Sequence, residues 1–171
     1  GVFCLIFSTF SSLGISIIFT LINYFLIVVG VLIFHATFTY SVLLTSLAKI
    51  NPFIFFSKMR EAIIFAFSTS SSSATMPITL KTVEEKLGVN KSVSSFCIPL
   101  GTTINMDGTA IMQGVATVFI AQVYQVDLSM MEYLMVIITA TLASIGTAGV
   151  PGVGLIMLAM VLQQVGLPVE G

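Results

Sequence analysis

Residues 62–80 read Ala-Ile-Ile-Phe-Ala-Phe-Ser-Thr-Ser-Ser-Ser-Ser-Ala-Thr-Met-Pro-Ile-Thr-Leu and carry no charged side chain. A helix needs about 20 residues to cross a hydrocarbon core about 30 Å thick, so this stretch has the length of one span. The four serines at 70–73 and Pro77 interrupt it midway, whereas a spanning helix is continuous. We therefore predict two half-helices that meet at a serine-rich tip.

The positively charged side chains lie in two short windows, one on either side of this stretch. The windows hold Lys49, Lys58 and Arg60, and then Lys81, Lys86 and Lys91. Loops rich in lysine and arginine stay in the cytoplasm, so both windows are expected there. A segment between two cytoplasmic windows enters and leaves the membrane by the same face. Residues 51–91 are thus predicted to form a re-entrant hairpin with flanking basic loops.

A second uncharged stretch, residues 133–169, is nearly twice as long as one span and is flanked only by acids. Between Gly146 and Gly154 it contains four glycines and Pro151, and these residue types break a helix. We predict that residues 127–171 form a second re-entrant hairpin, which enters from the outer face. Two tips that enter from opposite faces indicate an inverted repeat around a site at the membrane midplane.

The composition of the whole chain agrees with a membrane protein. Of its 171 residues, 57% are hydrophobic and 8% are charged, whereas soluble domains average about 25% charged residues. Residues 1–50 are predicted to be spanning helices, the first of them truncated, and residues 92–126 a further span. The predicted fold class is an all-α membrane protein, with transmembrane helices and two re-entrant helical hairpins in inverted repeat. A net charge of −1 without a basic run argues against a nucleic-acid partner. Membrane lipid is the expected environment of the chain.

Local patterns also predict where helices begin and end. Asn51 before Pro52 is typical of a helix start, and Ser129 with Glu132 has the spacing of a capping box. Gly88 and Gly166 suit helix ends.

Asp107 is the one acid between Ser92 and Val126, and it lies near the middle of that predicted span. A charge at this depth costs at least about 2.5–3.5 kcal/mol on insertion scales, so such a residue is a candidate for function. Its neighbours, Gly101-Thr-Thr-Ile-Asn-Met-Asp-Gly-Thr109, combine oxygen-bearing side chains with glycines that permit local unwinding. Carboxylate, amide, hydroxyl and carbonyl oxygens suit a hard cation such as Na⁺. His35, on an apolar span, is interpreted as a residue that packs against a neighbouring helix rather than as a proton relay.

The two hairpin tips suit an anionic substrate. A half-helix N-terminus from each hairpin directs the positive end of its dipole at the midplane. The hydroxyls and amides of the first tip, Ser70, Ser71 and Ser72, are expected to bind a carboxylate there.

Three segments, in this order and at this spacing, resemble the dicarboxylate/amino acid:cation symporter family, the family of glutamate and aspartate transporters. They are Ser-Ser-Ser-Ala-Thr-Met-Pro at 71–77, Asn-Met-Asp-Gly-Thr at 105–109 and Ala-Ser-Ile-Gly-Thr-Ala-Gly-Val-Pro-Gly at 143–152. The resemblance extends over essentially the whole chain, from the end of the family's fifth span through its second hairpin. It implies most of an elevator transport domain, without the scaffold spans and the eighth span. It also implies that the outer hairpin, residues 127–171, acts as the gate. It also implies a homotrimer in the cytoplasmic membrane, crossed several times by each chain.

The resemblance also implies individual site residues. Those that match substrate contacts are Ser70, through its carbonyl, and Ser72, Thr109, Val150 and Gly154. Those that match cation ligands are Gly101 and Asn105 for one Na⁺ site, Asn105 and Asp107 for a second, and Thr103, Met106, Ser144, Ile145 and Thr147 for a third, which the gate closes.

The sequence departs from the archaeal members of that family at Ser70, where they carry an arginine. Members with serine there carry a compensating arginine on the eighth span. The substrate therefore stays open among acidic amino acids, with glutamate or aspartate favoured, C4-dicarboxylates and neutral amino acids such as serine, threonine or alanine. Na⁺ is the expected coupling ion, with H⁺ as the alternative, and no cofactor or enzymatic activity is expected. An ion channel built from the same re-entrant elements is the alternative of a different class.

Overall fold

The computed structural model describes residues 16–169 of the chain, and in this range all regular structure is helical. The α-helices are α1 (Ser16–Phe34), α2 (Tyr40–Leu43), α3 (Pro52–Thr69), α4 (Ser72–Glu85), α5 (Lys91–Ile104), α6 (Asp107–Val123), α7 (Met130–Ile145) and α8 (Val153–Gln164). Two π-helical turns, His35–Thr39 and Leu44–Ala48, lie on either side of α2. The truncated first span predicted at the start of the chain falls largely on residues 1–15, outside the described range.

The first helices and their π-helical turns form one long apolar helix. Within the described residues, Ile18–Ala48 is the one helix of 18 or more residues that is apolar enough to cross a membrane. It has 31 residues, and no residue of its apolar 18-residue stretch is buried within the described part of the chain. At 1.5 Å per residue, 31 residues extend about 46 Å, more than the hydrocarbon core of a bilayer. The helix ends at Lys49, whose φ of 53° is left-handed.

Helices α3 and α4 pack against each other as the first hairpin. Asn51 starts α3, because its side chain accepts a hydrogen bond from the N–H of Phe53 at 2.9 Å. The chain reverses at Ser70, with a left-handed φ of 49°, and Ser71 caps α4 by accepting from the N–H of Ala74. The predicted break at the serines and the predicted start at Asn51 are thus confirmed.

The predicted interruption at Pro77 is wrong, because Pro77 lies inside α4. Proline removes one backbone donor, and its fixed φ is compatible with a helix. In α4 the carbonyl that loses this donor belongs to Ser73, in the first turn beside the tip, so the helix continues to Glu85.

The two arms of the first hairpin are also joined at the end away from the tip. The ammonium of Lys86 lies 2.7 Å from the Glu61 carboxylate. The end of the first basic window, at Arg60, therefore lies beside Lys86 of the second window. The chain thus enters and leaves the hairpin at the same end. Beyond it, α4 ends and Gly88 adopts a φ of +73°, as its sequence position predicts.

The predicted unwinding beside Asp107 is also present. Helix α5 ends at Ile104 and α6 starts at Asp107, and between them Asn105 and Met106 have non-helical dihedral angles. The last carbonyl groups of α5 are therefore without the partners that a continuous helix would supply.

Helices α7 and α8 form the second hairpin, and they pack with α6 around the buried core. The predicted capping box is confirmed: the N–H of Ser129 donates to the Glu132 carboxylate at 2.7 Å, and the N–H of Glu132 donates to the Ser129 hydroxyl at 3.3 Å. Helix α8 ends before Gly166, whose φ is +70°. The core residues are Ile120, Ala121, Val136, Ala140, Ala143, Val161, Leu162, Val165 and Leu167. This core fixes the second hairpin on α6, and residues 146–152 connect its two arms at the tip.

Candidate functional site

The tips of the two hairpins touch at Gly149. Its carbonyl oxygen accepts two hydrogen bonds from the first tip, one from the Ser71 hydroxyl at 2.8 Å and one from the Ser73 N–H at 3.1 Å. A Cβ atom at position 149 would lie 2.9 Å from the Ser73 Oγ and 3.2 Å from the Ser72 Cβ. Since real Cβ atoms do not approach so closely, only glycine permits this contact without displacement of the first tip.

A cavity of about 310 Å³ lies beside this contact, and we call it the tip cavity. Its wall is formed by Ser70, Ser72, Met106, Thr109, Met112, Leu155 and most of the second tip, from Thr147 to Gly152, with Gly154. The volume is at the lower end of the range for small-molecule sites. No residue of this wall has a charged side chain.

Three helices begin at the tip cavity. Ser72 is the first residue of α4, Met106 precedes α6, and Gly152 precedes α8. A helix N-terminus has free N–H groups and carries about half a positive charge. The cavity is therefore neutral in its side chains but favourable for an anion through its backbone.

Asp107 lies beside this cavity but is not part of its wall. Its side chain contacts the long apolar helix Ile18–Ala48. The Asp107 Oδ2 lies 2.6 Å from the Nε2 of His35, and the hydroxyl of Tyr40 donates to the same oxygen. The side chain of Asp107 is 33% exposed and that of His35 is 25% exposed within this chain. The predicted contact of His35 with a neighbouring helix is confirmed.

The sequence of the chain matches a known family. A sequence profile described as the sodium:dicarboxylate symporter family matches residues 1–171. The chain belongs to the sodium:dicarboxylate symporter family. Members of this family are transporters, so the chain is not an enzyme.

Named relatives of this symporter-family chain are excitatory amino acid transporters. Excitatory amino acid transporter 1 of Rattus norvegicus is 46% identical over 144 residues, which are 84% of this chain and 26% of the relative. The putative sodium-dependent excitatory amino acid transporter glt-4 of Caenorhabditis elegans is 46% identical over 148 residues, 86% of this chain and 30% of the relative. Excitatory amino acid transporter 4 of Mus musculus is 49% identical over 120 residues, 70% of this chain and 21% of the relative. The chain thus spans between a fifth and a third of the length of these relatives.

In this symporter-family chain, most of the predicted substrate residues lie together. Ser70, Ser72, Thr109, Val150 and Gly154 are all in the wall of the tip cavity. Ser71 is not in the wall: its hydroxyl donates to Gly149 and accepts from the N–H of Ala74. Its position therefore serves the contact between the tips.

The predicted cation ligands fall into two groups. Gly101, Thr103, Asn105 and Asp107 lie at or near the break between α5 and α6, and Thr103 and Asn105 are exposed. Met106 and Thr147 are in the wall of the tip cavity, Ser144 is buried in the second hairpin, and the side chain of Ile145 is exposed. The hydroxyls of Ser144 and Thr147 donate to the carbonyls of Thr141 and Ala143, which leaves their oxygen lone pairs free to bind a cation.

Two polar residues were missed by the sequence analysis. Tyr40 belongs to an apolar span that offers no pattern for its contact with Asp107. Gln113 is fully buried, its Nε2 donates to the carbonyl of Gly154 at 3.1 Å, and its Oε1 has no hydrogen-bond partner within the described residues. A signal for Gln113 was present, since it is an amide in an uncharged stretch, four residues after Thr109 and so on the same helix face.

Proposed function

We propose that this chain forms the substrate- and ion-binding part of a Na⁺-coupled symporter for an acidic amino acid or a C4-dicarboxylate, with glutamate or aspartate as the favoured substrate. The observation that carries the proposal is the tip cavity, where three helix N-termini meet without a charged side chain in the wall. Helix N-termini favour carboxylates. The relatives named as excitatory amino acid transporters support the same substrate class.

Na⁺ is the proposed coupling ion and is carried as a second substrate. Asn105 and Asp107 supply an amide oxygen and a carboxylate at a break in the helix, and Gly101 and Thr103 precede them. Met106, Ser144, Ile145 and Thr147 supply backbone and hydroxyl oxygens where the gate hairpin closes on the tip cavity. These are the hard oxygen ligands that a hard cation prefers. Coupling to H⁺ is the alternative.

The two hairpins are proposed to be re-entrant and to form an inverted repeat. The contact between Glu61 and Lys86 supports re-entry of the first hairpin, because it places the start of one arm next to the end of the other. In the proposed elevator mechanism, the hairpins and α6 move together and the second hairpin is the gate. The full-length protein is proposed to be a homotrimer that crosses the cytoplasmic membrane several times, with the unburied face of α1 in contact with lipid.

A neutral amino acid is the second candidate substrate. It is favoured by the side chains of the tip cavity, since no basic residue in the described wall is available for a second carboxylate. Ser70, at the first tip, is likewise uncharged.

Uptake of labelled amino acids into proteoliposomes that contain the full-length protein tests the proposal. An inward Na⁺ gradient is expected to concentrate L-aspartate inside the vesicles, and replacement of Na⁺ by choline is expected to abolish this. Accumulation of L-serine without competition from aspartate would instead support the neutral substrate. Flux that only equilibrates the label would indicate a channel, and uptake driven by a proton gradient without Na⁺ would contradict the proposed coupling ion.

A further inference from the structure

We infer that His35 and Tyr40 are positioning residues of the coupling-ion site, because together they bind one oxygen of Asp107 and leave the other for Na⁺. This inference rests on the proposed function, in which Asp107 is a cation ligand. It concerns two residues of the long apolar helix Ile18–Ala48, which belong neither to the sequence motifs nor to the wall of the tip cavity.

The π-helical turn brings His35 and Tyr40 to the same side of their helix. In an α-helix, two residues that are five positions apart differ in direction by about 140°. In a π-helix the hydrogen bond runs between residues i and i+5, and here the N–H of Tyr40 donates to the carbonyl of His35. The two rings are consequently 4.9 Å apart between centroids and meet edge to face. The local change of helix type thus presents two donors to one acceptor.

Both donors bind the same carboxylate oxygen. The His35 Nε2 lies 2.6 Å from the Asp107 Oδ2, and the Tyr40 hydroxyl donates to this oxygen as well. An ionised carboxylate is only an acceptor, so the Nε2 of His35 carries the proton in this contact. Neither donor is bound to Oδ1, which stays available for a cation.

The arrangement fixes the direction of the carboxylate through one of its two oxygens. The imidazole of His35 and the hydroxyl of Tyr40 each supply one hydrogen bond to Oδ2, so the lone pairs of Oδ1 can face a cation. Groups that orient a metal ligand in this way commonly change metal affinity about 10-fold to 100-fold when they are removed. We therefore expect His35 and Tyr40 to act on the affinity for Na⁺ and not on the maximal rate.

The test compares Tyr40→Phe, His35→Leu and His35→Gln in the full-length protein. Tyr24→Phe is the matched control. Tyr24 is on the same helix, but its ring packs on the ring of Phe119, with 5.0 Å between the ring centroids. Two quantities are measured: the Na⁺ concentration for half-maximal aspartate uptake, and the Na⁺-dependent rise in the melting temperature of the purified protein. The second measurement reports binding of Na⁺ without transport.

Tyr40→Phe and His35→Leu are expected to raise the Na⁺ requirement about 10-fold in both measurements, with the maximal rate at saturating Na⁺ retained. His35→Gln, which keeps a donor, is expected to restore most of the affinity, and Tyr24→Phe to match the wild type. Wild-type Na⁺ affinity in folded Tyr40→Phe and His35→Leu variants would overturn the inference while the proposed function stands. A wild-type protein that shows neither Na⁺ response would overturn both.

Discussion

The side-chain nitrogen Nε2 of Gln113 lies 3.1 Å from the carbonyl oxygen of Gly154 and donates to it. This bond connects α6 to the first turn of α8, where the second hairpin meets the tip cavity. A Cβ at position 154 would lie 3.0 Å from the Thr109 Cγ2, so the absence of a side chain there lets the two helices approach. Beside the apolar core, a polar contact therefore joins the second hairpin to α6 at a place of close packing.

Replacement of Gln113 by leucine is expected to loosen the second hairpin. Leucine has a similar size but leaves the Gly154 carbonyl without its donor, and an unpaired buried acceptor costs about 1–3 kcal/mol. Amide hydrogen exchange in residues 150–156 should become faster, and the KM for aspartate should rise by about 10-fold or more. Gln122→Leu is the control, because Gln122 is an exposed residue of the same helix. Unchanged exchange in Gln113→Leu would show that this bond does not hold the second hairpin in place.

Gly149→Ala is expected to separate the two tips. The added methyl group would lie 2.9 Å from the Ser73 Oγ, and overpacking of this kind typically costs about 1–3 kcal/mol. Aspartate binding to the purified protein should weaken by about 10-fold, as titration calorimetry would measure. Gly114→Ala is the matched control on α6, because its Cβ would meet no atom within 4 Å. Equal affinities in the two variants would contradict a functional contact between the tips.

Asp107→Asn is expected to weaken the dependence of transport on Na⁺ more than Ser144→Ala does. The first change removes the charge of a proposed ligand, while the second removes one proposed hydroxyl ligand whose neighbouring backbone oxygens stay in place. The measurement is the Na⁺ dependence of aspartate uptake, with its Hill coefficient. If both variants kept the wild-type Na⁺ dependence, the proposed cation ligands would be wrong.

Labelling of single cysteines tests the proposed topology. Cysteines at the exposed positions Lys58 and Lys86 should react with a membrane-impermeant maleimide from the cytoplasmic side, and a cysteine at the exposed position Asp127 only from outside. Cys4 and Cys97 are first replaced by alanine to remove the background, since Cys97 is itself exposed. Reaction of positions 58 and 86 from opposite sides would mean that residues 62–80 span the membrane.

The capping box of the second hairpin should make stability depend on pH in a defined direction. Hydrogen bonds of Ser129, from its side chain and from its backbone N–H, lower the pKa of Glu132. A carboxyl whose pKa is lower in the folded state stabilises that state above its unfolded pKa, roughly 4.3 for glutamate, and loses this contribution as the pH falls through the folded value. The melting temperature of Glu132→Gln should therefore lie below that of the wild type at pH 7, with the difference shrinking below about pH 4. A constant difference across this range would exclude the carboxylate as the cause.

Local chemistry made several helix ends predictable. Asn51-Pro52, Ser129 with Glu132, and the serines at 70–73 each supply their own cap or reversal from residues close in sequence. The cause of the one wrong break, at Pro77, is also local: the sequence does not tell whether a proline falls in the first turns of a helix or in its middle.

The contacts between distant residues were less predictable. The bond between Ser71 and Gly149 joins residues 78 positions apart, and it depends on how two hairpins pack. The contact of Tyr40 with Asp107 needs a π-helical turn, which no periodic pattern of apolar residues announces. The sequence motifs located the neighbourhood of the site, while packing decided which donors and acceptors meet there.

The two hydrogen bonds at Gly149 have a consequence for how a ligand is captured. The Ser71 hydroxyl and the Ser73 N–H converge on one oxygen, so departure of the second tip releases both donors in a single step. While the tips touch, this backbone oxygen satisfies donors that also suit a carboxylate. Under the proposed function, capture of a carboxylate is then an exchange of one oxygen acceptor for another, and its free energy is the difference between two similar sets of hydrogen bonds. Such an exchange is easily reversed, as release of the substrate on the other side requires.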